Sequence, residues 1–385
     1  MSEAVSPAIV IAAFDRSAEL SRLCRSIQAA DVCAGTPLII SIDGGGSKRA
    51  AVRAIADDVS WTDGPLRIIE HEHLGLVEHF ARCGDLSVEY GAIVLLEDDL
   101  VVGPGFHRWA TAALSFSAGD DRIAGISLAT PFFDGYRHLP FEPVIDGSDG
   151  LYAQVPWYDG MAWTADQWKR YRDAEVDLTT PLHSLLDSLD DDEWFPHAMR
   201  YLVATERYYL LPRHSHCTNS GAVGTHFDNA TNYFQVPLTM RGPRDYRLLE
   251  LDDSLAVYDD HLELHPSAVK QLVSELDGYD LTIDLAGIRD LDIATTSHVL
   301  TTRPVTQPLK TWGSSMHPLI ANLAHDARGD SIRLARRADV DASTAGEAEA
   351  AATLKTHASR GRQPSTRDSL GHLRDGIAQR IRRDQ

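Results

Sequence analysis

The sequence predicts an α/β fold with a mostly parallel sheet, and three observations predict it. Short apolar runs alternate with helix-period segments through the first quarter of the chain. The runs are continuously apolar, as in strands covered on both faces. One of them, Ile93-Val94-Leu95-Leu96, runs straight into Glu97-Asp98-Asp99. An apolar strand that breaks into acid ends at a surface or cleft, and in an open α/β sheet that is where ligands bind.

Taken in order, Ala8 to Phe14 reads as the first strand. Asp15-Arg16-Ser17 follows, with Ser17 as the expected N-cap of a helix from Ala18 to Ala30, which puts Leu20, Leu23 and Ile27 on one face. Leu38 to Ile42 is the second strand and ends at Asp43-Gly44-Gly45-Gly46. A helix from about Lys48 to Asp58, a strand at Leu66 to Glu70 and a helix at Leu76 to Tyr90 lead into the acidic strand. This βαβαβαβ order predicts right-handed crossovers. Alternation along an extended chain points Glu97 and Asp99 one way and Asp98 the other. Like charges this close call for a cation, and a hard divalent metal with oxygen ligands is the natural one. The plainer alternative is a solvated acidic turn.

The middle of the chain differs. Residues 131–165 are rich in Pro, Gly and aromatics, including Phe132, Phe133, Tyr136, Trp157, Tyr158 and Trp163. They read either as a loop-rich packed region or as a wall that stacks on a sugar ring. A helix is expected from Asp166 to Ala174, an amphipathic helix from Trp194 to Thr205 after the acidic run 187–193, and a strand at Tyr208 to Pro212. The polar loop from His214 to Phe227 carries two glycines and suits a segment that approaches a ligand. Glu70-His71-Glu72-His73 reads as an exposed strand end, since two imidazoles without a third ligand are a weak metal signal.

Residues 236–330 read as a folded extension, and 331–385 as a disordered basic tail with roughly four more basic than acidic groups. A short amphipathic helix from Ser369 to Arg383 within that tail suits peripheral contact with an anionic membrane, or a partner. The body is acidic: the chain of 385 residues carries a formal net charge of -20, which argues against a nucleic-acid partner. Cys24, Cys33, Cys83 and Cys217 form no metal-binding spacing and read as reduced thiols. The first residues lack a signal-peptide pattern and no apolar run reaches membrane-spanning length, so a soluble, cytoplasmic protein is expected, at most peripheral at the inner membrane face.

Together these segments resemble the GT-A fold glycosyltransferases, with the closest likeness to N-acetylglucosaminyltransferase I and bacterial family 2-like relatives. Ile11 to Ser17 resembles the first strand and its Asp-Arg-Ser turn. Ile40 to Gly44 resembles the second strand with its nucleoside-binding aspartate, and Val94 to Leu100 the metal motif. Gly160 to Trp168 is similar to the segment that lines the donor sugar, and Pro212 to Phe227 to the closing loop. The likeness implies a Rossmann-like GT-A domain over 1–235, with a nucleotide-sugar half (6–130) and an acceptor half (131–235).

It also implies roles. Asp99 binds a divalent metal, Mn²⁺ or Mg²⁺, with His226 as a further candidate ligand from the loop. Asp15, Arg16, Asp43, His79, Glu97, Asp98 and Trp163 serve the nucleotide-sugar. The general base is one of Asp191, Asp192 and Glu193, with Asp192 favoured and Glu193 second. The same run also suits the dipole at the start of the following helix. The activity implied is inverting transfer from a nucleotide-sugar, a UDP-sugar favoured, to a hydroxyl of a glycan or lipid-linked acceptor in surface polysaccharide synthesis. Such a reaction needs neutralisation of the departing diphosphate and a carboxylate to take the acceptor's proton. Two alternatives stand beside it. A sugar-phosphate nucleotidyltransferase also uses carboxylates and a metal, but this sequence lacks a Gly-rich basic loop after the first strand. A non-catalytic nucleotide-sugar or glycan-binding module would bind without turnover.

Overall fold

The computed structural model describes residues 5–134, 139–177, 179, 182, 193–222, 235–242 and 244–341. Its first half is the alternating unit expected. β1 (Ala8–Ala13), α1 (Ser17–Gln28), β2 (Leu38–Ile42), α2 (Arg49–Asp57), β3 (Leu66–Glu70), α3 (Leu76–Tyr90) and β4 (Ala92–Glu97) follow one another. β1 pairs in parallel with both β2 and β4, and β2 with β3. β2 is buried along its whole length, and β1 and β4 at all but one residue each, which is why they read as unbroken apolar runs. Helix α1 starts one residue before the sequence reading: Ser17 is its first residue, and Arg16 holds the N-cap position without a side-chain cap bond.

The chain continues through β5 (Leu100–Val102), α4 (Phe106–Ser117), β6 (Ile123–Ser127), and the two-residue strands β7 (Phe133–Asp134) and β8 (Leu139–Pro140). β9 (Gly150–Ala153), β10 (Met161–Thr164), α5 (Ala165–Asp173), α6 (Trp194–Ala204), β11 (Tyr208–Pro212), β12 (Cys217–Asn219) and β13 (Val257–Tyr258) follow. One nine-stranded sheet results, in the order β13-β9-β11-β6-β10-β4-β1-β2-β3. Six strands run one way; β10, β9 and β13 run against them. Thr164 closes a capping box with Gln167, which starts α5 directly off β10. Gly84 in α3 lies flat against the Trp168 ring of α5; a Cβ there would sit 2.1 Å from it, so only glycine permits this approach.

The extension is a second, smaller sheet. α7 (Pro266–Leu272), β14 (Leu281–Asp284), β15 (His298–Thr301), β16 (Pro308–Trp312), α8 (Ile320–Ala324) and β17 (Ile332–Arg336) build it, in the order β14-β15-β17-β16. Two boundaries shift. β13 belongs to the large sheet, so that sheet draws on residues beyond 235. β17 lies between two partners, so folded structure passes 330, and the basic tail cannot begin at 331. The tail beyond 341, with the helix expected at 369–383, lies outside the described residues. The four cysteines are free thiols. Among the described residues no helix is long and apolar enough to cross a membrane.

Candidate active site

The ends of β1, β2 and β4 meet at one edge of the sheet, hereafter the strand-end edge. The crossovers from β1 to β2 to β3 step one way along the sheet, and the next returns to β4 on the other side of β1. The order therefore reverses between β1 and β4, where a crevice opens in an open α/β sheet. Glu97, Asp98 and Asp99 stand at that point.

The predicted alternation of the three acids stops short. β4 ends at Glu97, the chain turns at Asp98 and Asp99, and β5 begins at Leu100. Asp98 is buried and folded back on the first strand: its N–H donates to Ala12 O at 3.1 Å, and its Oδ2 accepts from the Phe14 N–H at 3.0 Å. Arg16 reaches the triplet from the turn after β1. One guanidinium nitrogen bonds Asp99 Oδ2 and lies 3.8 Å from Asp98 Oδ1. Among the described residues that one cation faces three carboxylates. Burial, reinforced by Asp99 and Asp98, pushes Glu97 up to about 8, against the pull of Arg16. Burial likewise pushes Asp98 to about 7, opposed by the Phe14 N–H and Arg16.

A fourth carboxylate joins them that the sequence reading missed. Met161 of β10 pairs with Leu95 of β4, so Asp159, two residues earlier, comes level with Glu97. Gly160 at φ +83° makes the turn between them. Asp159 is fully buried and has two long contacts, both 3.4 Å, from Asn219 Nδ2 and Trp157 Nε1. Burial pushes it to about 7. Asn219 belongs to β12, which pairs with β5, and the next residue, Ser220, donates its N–H to Asp99 O at 2.8 Å. The signal was present: Asp159 directly precedes a Gly and a buried strand, and its partner register follows from that strand.

Asp43, at the end of β2, is a buried anchor. Burial raises its pKa, but N–H groups of Leu74, Gly44 and Gly75, donating at 2.7, 2.8 and 3.1 Å, win and hold it below the usual carboxylate range. Ser41 Oγ sits between His71 Nε2 at 3.0 Å and His79 Nε2 at 2.9 Å. His79 is buried and pushed down to about 4, so it is neutral near pH 7. His73 lies 3.2 Å from Asp43 Oδ2 and stacks on Phe14. The segment read as an exposed strand end thus turns His71 and His73 onto the second strand. Asp15 accepts from Lys48 N at 2.6 Å and Ser47 Oγ at 3.1 Å, which fixes the loop that leads into α2.

Trp163 is a correction. It was expected along the donor sugar, but it is 2 % exposed, pairs with Ile93 deep in β4 and packs against Phe80 and Trp168. Its apolar bulk serves the core. Of the expected sugar-facing aromatics, Trp157 and Tyr158 stack on each other and Phe132 is exposed. Glu193 stands at the start of α6, where Trp194 stacks on Phe80 of α3 at 4.4 Å. α6 runs from there toward the opposite edge, where β11 begins, so its start faces the strand-end edge. Asp191, Asp192, Tyr136 and His226 lie outside the described residues.

Among the described residues one further cluster has metal-ligand chemistry: Asp259, Asp260 and His261 bring ligand atoms within 4.8 Å of one another. Asp259, however, is already engaged. Arg289 bonds its Oδ2, and the N–H groups of His261 and Glu263 donate to Oδ1 at 2.9 and 3.1 Å. Ala286 N donates to Glu263 Oε1 at 2.6 Å, so this network joins the extension to the edge of the large sheet.

No family model and no curated protein matches the chain. Among solved structures it is similar to an active-site mutant of LgtC, at 17% identity and TM-score 0.27, covering 42% of this chain and 59% of LgtC. It is similar to mouse xyloside xylosyltransferase 1 in its apo form, at 13% identity and TM-score 0.28, covering 43% and 68%. It is also similar to the mannosyltransferase PcManGT from Pyrobaculum calidifontis, in complex with GDP-Man and Mn²⁺, at 11% identity and TM-score 0.32, covering 55% and 59%. The chain thus spans less than two thirds of the length of this LgtC mutant and of PcManGT. The fold is α/β, with a mostly parallel central sheet flanked by helices, and the likeness to these glycosyltransferases covers only part of the chain.

Proposed function

We propose that the chain is an inverting, metal-dependent glycosyltransferase that moves a sugar from a nucleotide-sugar, a UDP-sugar favoured, to a hydroxyl of a glycan or lipid-linked acceptor. Surface polysaccharide synthesis is the proposed setting. The observation that carries this reading is the gathering of Glu97, Asp98 and Asp99 around one guanidinium at the reversal point of the sheet, with Asp159 close enough to act on Glu97 and Asp99. Uncompensated carboxylates there suit a hard divalent cation, because their oxygen donors are what Mn²⁺ and Mg²⁺ prefer. Asp99 and Glu97 are the residues that would hold it. When bound, the metal supplies Lewis-acid neutralisation of a diphosphate leaving group.

The other roles belong to the protein's own groups. Asp43 fixes the turn after β3 through the Leu74 and Gly75 N–H groups and its own turn through that of Gly44, which makes a rigid wall for the nucleoside end. Phe14 and His73 offer a stacked aromatic pair beside it. Neutral His79 adds no positive charge of its own. The acceptor's proton goes to one of Asp191, Asp192 and Glu193, with Asp192 favoured, and single displacement against that base inverts the anomeric centre.

The test is release of nucleoside diphosphate from a panel of nucleotide-sugars, with Mn²⁺ and with chelator, beside Asp99→Ala. Metal-dependent release from one donor, lost in the variant, is the expected result. Pyrophosphate formation from a nucleoside triphosphate and a sugar phosphate would overturn it in favour of a nucleotidyltransferase.

A further inference from the structure

β5 and β12 form a small two-stranded sheet that opens directly from the acid turn. Strands of this length are weak on their own, so loop and side-chain contacts set where they lie. One end is tied at Gly103, whose N–H donates to His216 O at 2.8 Å. The other is tied at Asp99, whose carbonyl accepts the Ser220 N–H at 2.8 Å, and Asn219 pairs with Leu100 beside it. β12 therefore positions the main chain of Asp99, as β1 positions that of Asp98.

Asn219 links this end of β12 to the interior. Its Oδ1 accepts the Gly221 N–H at 3.0 Å, which fixes the amide so that Nδ2 faces Asp159 Oδ1 at 3.4 Å. Its carbonyl accepts from Gln235 Nε2 at 3.3 Å, and the Val236 N–H donates to Thr218 Oγ1 at 3.0 Å, so residues 235 and 236 brace the same strand. Asp159 is fully buried, and each of its oxygens faces one N–H donor, Asn219 Nδ2 and Trp157 Nε1. A side chain with two acceptors and no donor satisfies both. An apolar side chain would fill that space at lower cost, so core packing alone does not explain the pair.

We propose that Asn219 is a positioning residue for Asp99. Held to Asp159 on one side, it keeps the Ser220 N–H against the Asp99 carbonyl and so fixes the acid turn in the arrangement that receives a divalent cation. It acts through Asp99 and touches neither metal nor donor. The inference rests on the reading of this edge as a metal-dependent transferase site.

Mn²⁺ affinity, measured by electron paramagnetic resonance in the presence of UDP, tests it without turnover. Asn219→Ala keeps every charge and loses the contact, and is expected to weaken Mn²⁺ about tenfold, the scale for removing a group that orients a metal ligand. Asp159→Asn turns an NH₂ group toward one of the two donors and removes a charge, and weakens Mn²⁺ as well. The exchanged pair, Asp159→Asn with Asn219→Asp, restores each hydrogen bond. The new amide accepts from Trp157 and donates to the new carboxylate, which still accepts the Gly221 N–H. That pair is expected to return affinity to within about threefold of wild type, since contacting groups couple. Urea midpoints establish that each variant is folded; a merely structural contact would move the midpoint and leave the affinity of the folded protein alone. Wild-type affinity in folded Asn219→Ala, or an exchanged pair no tighter than Asp159→Asn, would overturn the inference while Asp99→Ala still abolished binding. Mn²⁺ absent from the wild-type protein, or kept in Asp99→Ala, would instead break the reading beneath it, and the inference with it.

Discussion

Two acidic clusters in this molecule look alike by residue type and differ in how their charge is met. At Asp259, a guanidinium and two backbone N–H groups take up the carboxylate, and the neighbouring Asp284 has Arg303 Nε at 2.9 Å and the Arg289 N–H at 3.0 Å. At the strand-end edge, Arg16 is the one cation among the described residues that faces Glu97, Asp98 and Asp99, with Asp159 close behind. The first arrangement is saturated and holds the extension to the sheet. The second leaves its carboxyls short of counter-charge, so burial raises Glu97, Asp98 and Asp159 well above the usual carboxylate range, and carboxyls perturbed in this way at a crevice mark a candidate site. Counting acids does not separate the two; counting what neutralises them does.

The comparison breaks most visibly in activity. Asp99→Ala is expected to lower donor turnover by about 100-fold or more, the scale of losing a main electrostatic group in a reaction centre. Activity within a few-fold of wild type would remove Asp99 from the site. At the saturated cluster the loss should be structural instead. Arg289→Ala leaves the half-buried Asp259 without its cation and is expected to cost about 2 kcal/mol in urea unfolding, with turnover per folded molecule unchanged. A variant of wild-type stability would mean that the network does not hold the extension.

Much of this was legible in the sequence. The parallel strands announced themselves because burial on both faces demands unbroken apolar runs, and the acid triplet marked where β4 meets solvent. What escaped was set by tertiary register. Asp159 becomes a member of the site only because β10 runs antiparallel to β4. His71 and His73 look like a strand end until Ser41 and Asp43 are seen to claim them. Trp163 matched a motif by order along the chain, yet its position on β10 carries it into the core. The boundary at 330 failed because β17 is short and follows Gly329 and Asp330, so that its pairing between β15 and β16 has no local signature.

Titration sharpens the comparison further. His79 is depressed to about 4 from an ordinary 6.5, so between those values the unfolded chain binds more protons than the folded one. Stability therefore falls as pH drops through that window, by about 2–3 kcal/mol for a shift of this size. In His79→Gln this share of the acid loss disappears, while buried His216, also near 4, retains its own. An unchanged pH–stability profile in the variant would show that His79 is solvated. Glu97 acts in the opposite sense. Its pKa is raised, so its contribution is fully present below about 4.5 and is lost as pH rises through about 8. Glu97→Gln is expected to stabilise the metal-free protein at pH 8 by about 1 kcal/mol, seen as a higher urea midpoint. A lower midpoint would mean that the ionised carboxylate is already compensated.

The most direct test asks which acidic cluster takes the metal. Electron paramagnetic resonance titration of Mn²⁺ in the presence of UDP should give one bound ion in the wild-type protein. That ion should be lost in Asp99→Ala and kept in Asp259→Ala. Retention in Asp99→Ala with loss in Asp259→Ala would contradict the account, and would move the metal from the strand-end cleft to the joint between the two sheets.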